Sequence, residues 1–156
     1  MKNDRFFLHR AIEIAAEGII KGGGPFGAVI TLDGEKISES YNKVVLTNDP
    51  TAHAELIAIR EASSVLKSHD LTGCTLYCSC EPCPMCLGAI YWAGIQKVVY
   101  ACDRIDAEGA GFNDNLIYEE ILLNPSERKI LFLRVADTDG KEIFRKWDEF
   151  ENKIPY

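Results

Sequence analysis

The sequence is short of positive charge and has no long apolar run. It holds 17 lysine and arginine residues against 24 aspartate and glutamate residues, which gives a formal net charge of −7. Nucleic-acid binding takes most of its affinity from lysine and arginine at phosphates, so this balance favours a small, uncharged partner over nucleic acid. The longest stretch without a charged residue, 82–96, is interrupted by proline and glycine. It falls short of the roughly 20 residues that cross a bilayer, so we predict no membrane segment.

The sequence also lacks a secretion signal and a linker. Its N-terminus mixes charges of both signs without a following apolar core, so we expect a cytoplasmic protein despite six cysteines. No Pro/Ser-rich tract, low-complexity segment or internal repeat interrupts the 156 residues. We therefore expect a single domain over 1–156, large enough to bury a core without disulfides.

Helical and strand patterns alternate along the chain. Apolar residues recur at helical spacing from Asp4 to about Lys21, and Asp33-Gly34 separates two strands, Phe26–Leu32 and Lys36–Tyr41, as a tight hairpin turn does. The later elements are predicted, in order, as a helix from Asp49 to Lys67, a strand over Thr75–Cys80, a helix over Pro84–Trp92, a strand over Lys97–Ala101, a short helix near Tyr118, a strand over Lys129–Val135 and a helix from Glu142. This order predicts an α/β fold with a five-stranded sheet and helices on both faces.

Two short motifs carry the chemistry of the sequence. His53-Ala54-Glu55 and Pro82-Cys83-Pro84-Met85-Cys86 supply three zinc ligands, His53, Cys83 and Cys86, and a carboxylate that is not needed as a fourth. Thiolates with an imidazole select zinc over magnesium or calcium. Structural zinc normally has four protein ligands, whereas catalytic zinc keeps one position for water. We therefore predict one catalytic zinc ion per chain, and this H-x-E…P-C-x-x-C pattern is typical of nucleobase deaminases.

The spacing of these residues also predicts where the metal lies. Two residues that are two apart on a helix point about 200° from one another, so His53 and Glu55 can serve one centre only at the start of a helix. Cys83 and Cys86 fall at the start of the next helix, where unpaired N–H groups favour thiolates. Two helix N-termini are therefore expected to converge on the zinc, with Glu55 moving a proton from water to the ring and the leaving amine.

Two alternatives to a catalytic zinc site remain at this point. Cys78 and Cys80 could join Cys83 and Cys86 in a four-cysteine knuckle, and the protein would then be a structural zinc-binding interaction module with no use for Glu55. A redox CxxC would likewise leave His53 and Glu55 without a role. Against the knuckle, Thr75–Cys80 has the pattern of a short buried strand, which would direct Cys78 and Cys80 together to one face. The sequence assigns no role to Cys74 or Cys102.

Four longer motifs make the chain resemble a known family. Those motifs are 24–30 (GPFGAVI), 48–55 (NDPTAHAE), 79–92 (SCEPCPMCLGAIYW) and 111–118 (GFNDNLIY). Together with the final tyrosine, they resemble bacterial guanine deaminases of the cytidine deaminase superfamily. The resemblance implies a three-layer α/β/α fold with a mixed sheet, and hydrolytic deamination of guanine to xanthine and ammonia in purine metabolism. It also implies a homodimer in which the C-terminal segment, 137–156, is swapped between subunits.

The resemblance further implies the residues that contact a purine base. Asp114 and Tyr156 would help to recognise the base, and Asp114 would also assist proton transfer. Asn42 would hold the base by hydrogen bonds, while Phe26 and Trp92 would stack on it. Guanosine deamination and a tRNA-adenosine or cytosine-type activity remain the rival functions. The slightly acidic segment 142–156 disfavours the tRNA alternative, because a tRNA enzyme needs basic residues there.

Overall fold

The computed structural model describes residues 2–155, without the side chain of Lys2. The chain divides into two compact units, Met1–Asp114 and Asn115–Tyr156. The first unit contains α1 (Lys2–Ile20), β1 (Gly27–Leu32), β2 (Glu35–Tyr41), α2 (Val44–Thr47), α3 (Ala54–Leu66), β3 (Thr75–Cys80), α4 (Pro84–Trp92), β4 (Lys97–Cys102) and α5 (Arg104–Gly109). The second contains α6 (Asn115–Ile121), a 3-10 turn (Pro125–Glu127) and α7 (Gly140–Glu149). The expectation of a single domain stays a prediction.

The sheet of the first unit is mixed and has the strand order β2-β1-β3-β4. β1 runs antiparallel to both β2 and β3, whereas β3 and β4 are parallel. The hairpin between β1 and β2 turns through Asp33 and Gly34, which both have positive φ, at 52° and 83°. Such a pair matches the twist of the flanking strands, so this local sequence fixes the hairpin as predicted.

Helices cover both faces of this sheet, as predicted. Alternate residues of the central strands point to opposite faces. One face packs against α1 through the cluster Phe7, Ala11, Ile14, Val29 and Tyr77. The other packs against α3 and α4 through the cluster that includes Ala28, Ile30, Ala58, Leu76, Cys78 and Ile90. The three-layer α/β/α fold is therefore confirmed, and each large aliphatic side chain buried in it contributes about 1.5–3 kcal/mol.

The predicted fifth strand is wrong for the described residues. Residues 131–136 have no regular structure, and the sheet has four strands. Ile130, Leu131 and Leu133 are exposed, so this β-prone segment has neither a partner strand nor a surface to cover it. A strand needs a neighbouring edge for its backbone hydrogen bonds, and residue preference alone does not supply one.

Smaller differences concern helix starts and short helices. The helix predicted from Asp49 begins at Ala54 instead, because the Asp49 carboxylate accepts hydrogen bonds from the backbone and hydroxyl of Thr51 and forms a turn. The short helices α2 and α5 were not predicted. Within residues 2–155, no helix combines the length and apolar character needed to cross a membrane.

Candidate active site

The structure brings the three predicted zinc ligands together at two helix N-termini. His53 is the N-cap of α3 and Cys83 is the N-cap of α4, both with extended backbone. Pro84 begins α4, where its missing N–H costs nothing, and Cys86 follows in the first turn. Among the described residues, His53, Cys83 and Cys86 form the one cluster of three or more side chains suited to hold a metal.

The distances within this cluster fit a tetrahedral zinc ion. The Sγ atoms of Cys83 and Cys86 lie 3.6 Å apart, and Nδ1 of His53 lies 3.5 Å from the first and 3.6 Å from the second. With bonds of about 2.3 Å to sulfur and 2.0 Å to nitrogen, tetrahedral zinc separates such ligands by roughly 3.5–3.8 Å. The cluster supplies three ligands and leaves a fourth position open.

The electrostatics of the cluster favour a thiolate at Cys83. Hydrogen bonding from Cys86, followed by that from His53, lowers the pKa of Cys83 to about 4. The same contact with Cys83, together with burial, raises the pKa of Cys86, while Cys83 raises the pKa of His53. The protein therefore favours a thiolate at Cys83 alone, and zinc binding would release the protons held by Cys86 and His53, because zinc binds thiolates and neutral imidazole.

Glu55 is buried beside these ligands. Its side chain lies in the first turn of α3, the residue is 7% exposed, and it contacts the thiol of Cys86. Burial is the main reason that the pKa of Glu55 is raised above its ordinary value. A carboxyl group with a raised pKa can both accept and return a proton near neutral pH.

Phe26 directly precedes β1, and Asn42 directly follows β2, its antiparallel neighbour. The Asn42 side chain is buried, and its amide oxygen accepts a hydrogen bond of 3.1 Å from the N–H of Val44. Because this bond engages the oxygen, the amide NH₂ group is the part suited to donate to a substrate. The half-buried ring of Phe26 packs on the core and meets the ring of Phe112 edge-to-face, with 4.8 Å between centroids.

The remaining predicted site residues differ in their surroundings. Asp114 is half-buried, and burial is the main cause of its raised pKa, followed by the negative charge of Cys83. That interaction places the carboxyl within electrostatic reach of the ligand cluster. Trp92 ends α4 with 72% of its surface exposed. Tyr156 lies outside the described residues.

The four-cysteine alternative does not match the structure. Cys78 is buried within β3, where burial raises the pKa of its thiol well above the ordinary value. Burial likewise raises the pKa of Cys80 to about 11. The Sγ of Cys80 instead donates a hydrogen bond to the carbonyl of Asp103, and neither Cys78 nor Cys80 belongs to the metal cluster found among the described residues.

Two side chains near the site, those of Ser79 and Phe112, had no predicted role. Ser79 is buried, and its hydroxyl accepts a hydrogen bond of 3.0 Å from the N–H of Gly27. Phe112 packs against Phe26. Both residues lie within motifs shared with the resembled family, 79–92 and 111–118, but their contacts join distant parts of the chain, 52 residues apart for Ser79, and no local pattern predicts such contacts.

An α/β/α sandwich with a histidine and two cysteines at converging helix starts, and a buried glutamate beside them, defines a zinc-dependent deaminase. The chain belongs to the cytidine and deoxycytidylate deaminase family, whose zinc-binding region matches residues 1–102. The zinc ion of that family fits the residues present here.

Comparison with named relatives shows which members of this family the chain is similar to. The chain is 52% identical over 155 residues to the guanine deaminase of Bacillus subtilis (strain 168), covering 99% of both proteins. A crystal structure of guanine deaminase from Bacillus subtilis superposes with a TM-score of 0.95 over 97% of this chain and 98% of that one. A guanine deaminase from Nitrosomonas europaea gives a TM-score of 0.66 at 34% identity, over 69% of this chain and 63% of that one. A tRNA-specific adenosine deaminase of Aquifex aeolicus is 44% identical over 62% of this chain and 64% of its own length.

Proposed function

We propose that this protein catalyses the hydrolytic deamination of guanine to xanthine and ammonia, with one zinc ion per chain. The observation that carries the proposal is the open three-ligand cluster with the buried Glu55 beside it. Similarity over nearly the full length to a protein named guanine deaminase supports guanine over other bases.

Glu55 is the proton carrier in this reaction. His53, Cys83 and Cys86 would hold the zinc ion, which supplies Lewis-acid activation of water at neutral pH. Glu55 accepts one proton from the attacking water and passes it to the ring nitrogen, and it then carries the proton of the newly added hydroxyl group to the departing amine, so ammonia leaves as a neutral molecule as the C–N bond breaks. Its burial raises the pKa of the carboxyl above its ordinary value, which makes Glu55 a better proton acceptor than an exposed glutamate.

Recognition of guanine falls to residues around the ligand cluster. Asp114 accepts hydrogen bonds from N1–H and the 2-amino group of guanine, while adenine offers an acceptor at N1 and is disfavoured. Asp114 also assists the transfer of a proton to the leaving amine. Asn42 donates from its amide NH₂, while its amide oxygen accepts from the N–H of Val44 and so holds the side chain in place. Phe26 and Trp92 offer aromatic faces for stacking on the flat base.

The test of this proposal is ammonia release from four substrates by protein of measured zinc content. Guanine should be turned over, and guanosine, adenine and cytosine should be turned over much more slowly. Turnover of guanosine at a rate close to guanine would indicate that the site admits a ribose. Preference for adenosine in a tRNA anticodon stem-loop would contradict guanine as the substrate and support the tRNA-adenosine alternative. Full activity after complete zinc removal would contradict the metal mechanism.

We further propose that the protein acts as a homodimer in which segment 137–156 crosses to the partner and brings Tyr156 to its site. Two observations support a second copy. β4 stands at the edge of the sheet of the first unit. In the second unit, large apolar side chains of 130–135 and of α7 are exposed, among them Ile130, Leu131, Leu133, Ile143 and Phe144. Exposed apolar area of this kind typically marks an interface.

A cytoplasmic location is part of the same proposal. All six cysteines, Cys74, Cys78, Cys80, Cys83, Cys86 and Cys102, are free thiols. Free thiols persist in reducing compartments, which supports this location.

A further inference from the structure

Phe112 lies in the segment that carries Asp114, directly after α5. This segment has no regular structure, and backbone hydrogen bonds hold its first part: the N–H of Gly111 donates to Glu108 and that of Phe112 donates to Ala107. The ring of Phe112 stands edge-on to the ring of Phe26, at 85° between planes and 4.8 Å between centroids. Both rings border one cavity of about 370 Å³, which α1 and α5 also line and which is separate from the metal ligands.

Phe26, on the other side of this contact, is rigidly held. Its carbonyl oxygen accepts a hydrogen bond of 2.9 Å from the N–H of Asn42. The next residue, Gly27, donates its N–H to the buried hydroxyl of Ser79 on β3. The ring itself packs against the core beneath α3 and α4. Phe26 is therefore a fixed point that already orders Asn42, and the Phe112 ring connects the Asp114 segment to it.

We propose that Phe112 is a positioning residue that sets the location of Asp114 through its edge-to-face contact with Phe26. The proposal rests on the proposed function, in which Asp114 receives the donor edge of guanine. Only Asn113 lies between Phe112 and Asp114, so a shift of the backbone at Phe112 is passed on to the carboxylate. Asn42, Phe26 and Asp114 then keep one geometry relative to each other, which hydrogen bonding to a bound base requires.

Simple burial does not account for the role of Phe112. The residue is 44% exposed, so much of its apolar surface gains nothing from the contact. The edge-to-face arrangement is directional, because the positive edge of one ring meets the negative face of the other. An aliphatic side chain of similar volume would keep the apolar contact and lose this direction.

The test compares Phe112→Leu, Phe112→Tyr and a matched control, Phe6→Leu. Phe6 is also exposed, at 68%, and also meets another phenylalanine, Phe7, edge-to-face at 5.1 Å, but it lies on α1 and has no place in the proposed site. Phe112→Leu should lower kcat/KM for guanine about 3- to 10-fold, the factor that corresponds to losing one such pair. Phe112→Tyr keeps the ring and should restore kcat/KM to within about 2-fold, and Phe6→Leu should leave it unchanged. Zinc content and Tm are measured on all three variants.

Crystal structures of the zinc-loaded wild type, Phe112→Leu and Phe6→Leu complete the test. The Asp114 carboxylate should move relative to the three ligand residues in Phe112→Leu and stay in place in Phe6→Leu. An unmoved carboxylate in Phe112→Leu, or equal kcat/KM for that variant and wild type, overturns the positioning role. If wild type with bound zinc does not deaminate guanine, the proposed function fails, and the crystal structures still decide whether Phe112 positions Asp114.

Discussion

Glu55 combines deep burial with a position beside three metal ligands. In the Glu55→Gln variant the side chain keeps its shape but loses the ability to carry a proton. We expect bound zinc to remain at one ion per chain and kcat for guanine to fall by at least about 10²–10⁴-fold. Metal analysis and ammonia release measure the two quantities. Glu61→Gln, which changes an exposed glutamate of the same helix, is the control and should keep wild-type kcat. Near-normal turnover in Glu55→Gln would place the proton carrier elsewhere.

Asp114 is the residue expected to make the enzyme prefer guanine to adenine. Asp114→Ala removes the acceptor for N1–H and the 2-amino group, so kcat/KM for guanine should fall by about 100-fold or more with zinc intact. Glu61→Ala changes an exposed carboxylate on α3 outside the proposed site and should keep most activity. An Asp114→Ala variant with wild-type kcat/KM would refute the assignment.

The metal-ligand residues could be predicted from the sequence, whereas the contacts that hold the surrounding residues in place could not. His53, Glu55, Cys83 and Cys86 fall in two short local motifs whose spacing encodes their chemistry. Ser79 and Gly27 meet only because β3 pairs beside β1, and no local pattern reports such pairing. The approach of Phe112 to Phe26 depends on the same tertiary arrangement.

The packing of α1 on β1 depends on the absence of a side chain at Gly27. A Cβ at this position would meet the backbone carbonyl of Ala11 in α1, which cannot move away as a flexible side chain could. Gly27→Ala should therefore lower the free energy of unfolding by about 1–3 kcal/mol. Gly109→Ala, at the end of α5 with open space around it, should change it by less than about 1 kcal/mol. Urea unfolding of the zinc-loaded proteins measures both, and equal stability of the two variants would contradict this account.

An ion pair joins α1 to β2 and should make stability depend on pH. Hydrogen bonds from Arg10, at 2.9 and 3.1 Å, lower the pKa of Glu39 from 4.5 to about 2. A carboxyl with a lowered folded-state pKa stabilises the fold above its unfolded pKa, and this stabilisation is lost as the pH falls toward the folded value. Both side chains are about a quarter to a third exposed, so we expect about 1 kcal/mol.

Urea unfolding of wild type and Glu39→Gln from pH 7 to pH 3 tests the ion pair. The variant should be less stable by about 1 kcal/mol at pH 7, and the difference should shrink by about half at pH 3. Glu61→Gln should show no such pH-dependent difference. A constant difference for Glu39→Gln across this range would mean that the charge of Glu39 does not contribute.

Elements with a strong local signal followed from the sequence, whereas elements without one, or that depend on a partner strand, did not. β3 and α4 have the predicted bounds, because alternation and a proline-started helix are strong local signals. α2 and α5 have four and six residues, too few to show a helical period. The prediction of a strand over Lys129–Val135 was wrong because a strand must pair with a second segment. The residue pattern of one segment does not show whether such a partner is present.

The proposed exchange of the C-terminal segment predicts that the chain end is needed for catalysis. A terminal residue is normally dispensable. If the tail closes the partner's site, deleting 154–156 should lower kcat/KM for guanine by about 10-fold or more, as loss of a substrate contact does. Zinc content and Tm should stay close to wild type. Full activity of the truncated protein, or of a strictly monomeric form, would contradict the exchange.

Mixed dimers distinguish a site shared between two subunits from a loss of activity caused by general damage to the protein. Truncated subunits keep Glu55 but lack a tail, and Glu55→Gln subunits keep the tail but lack the proton carrier. Mixing the two impaired proteins should raise the guanine turnover above the sum of their separate activities, because one site in each mixed dimer then has both parts. Mixing truncated subunits with a variant that is truncated and also carries Glu55→Gln is the control and should restore none.

The strand order divides the first unit into two halves, which meet in sequence at the connection between α3 and β3. β1 and β2 come from the chain before His69, β3 and β4 from the chain after it, and the two pairs meet along the β1–β3 ladder. The metal cluster crosses the same boundary, with His53 on one side and Cys83 and Cys86 on the other. A protein cut at His69 would consist of two fragments, neither of which contains a complete metal site. Complementation of the fragments and assembly of the zinc centre would therefore be one event.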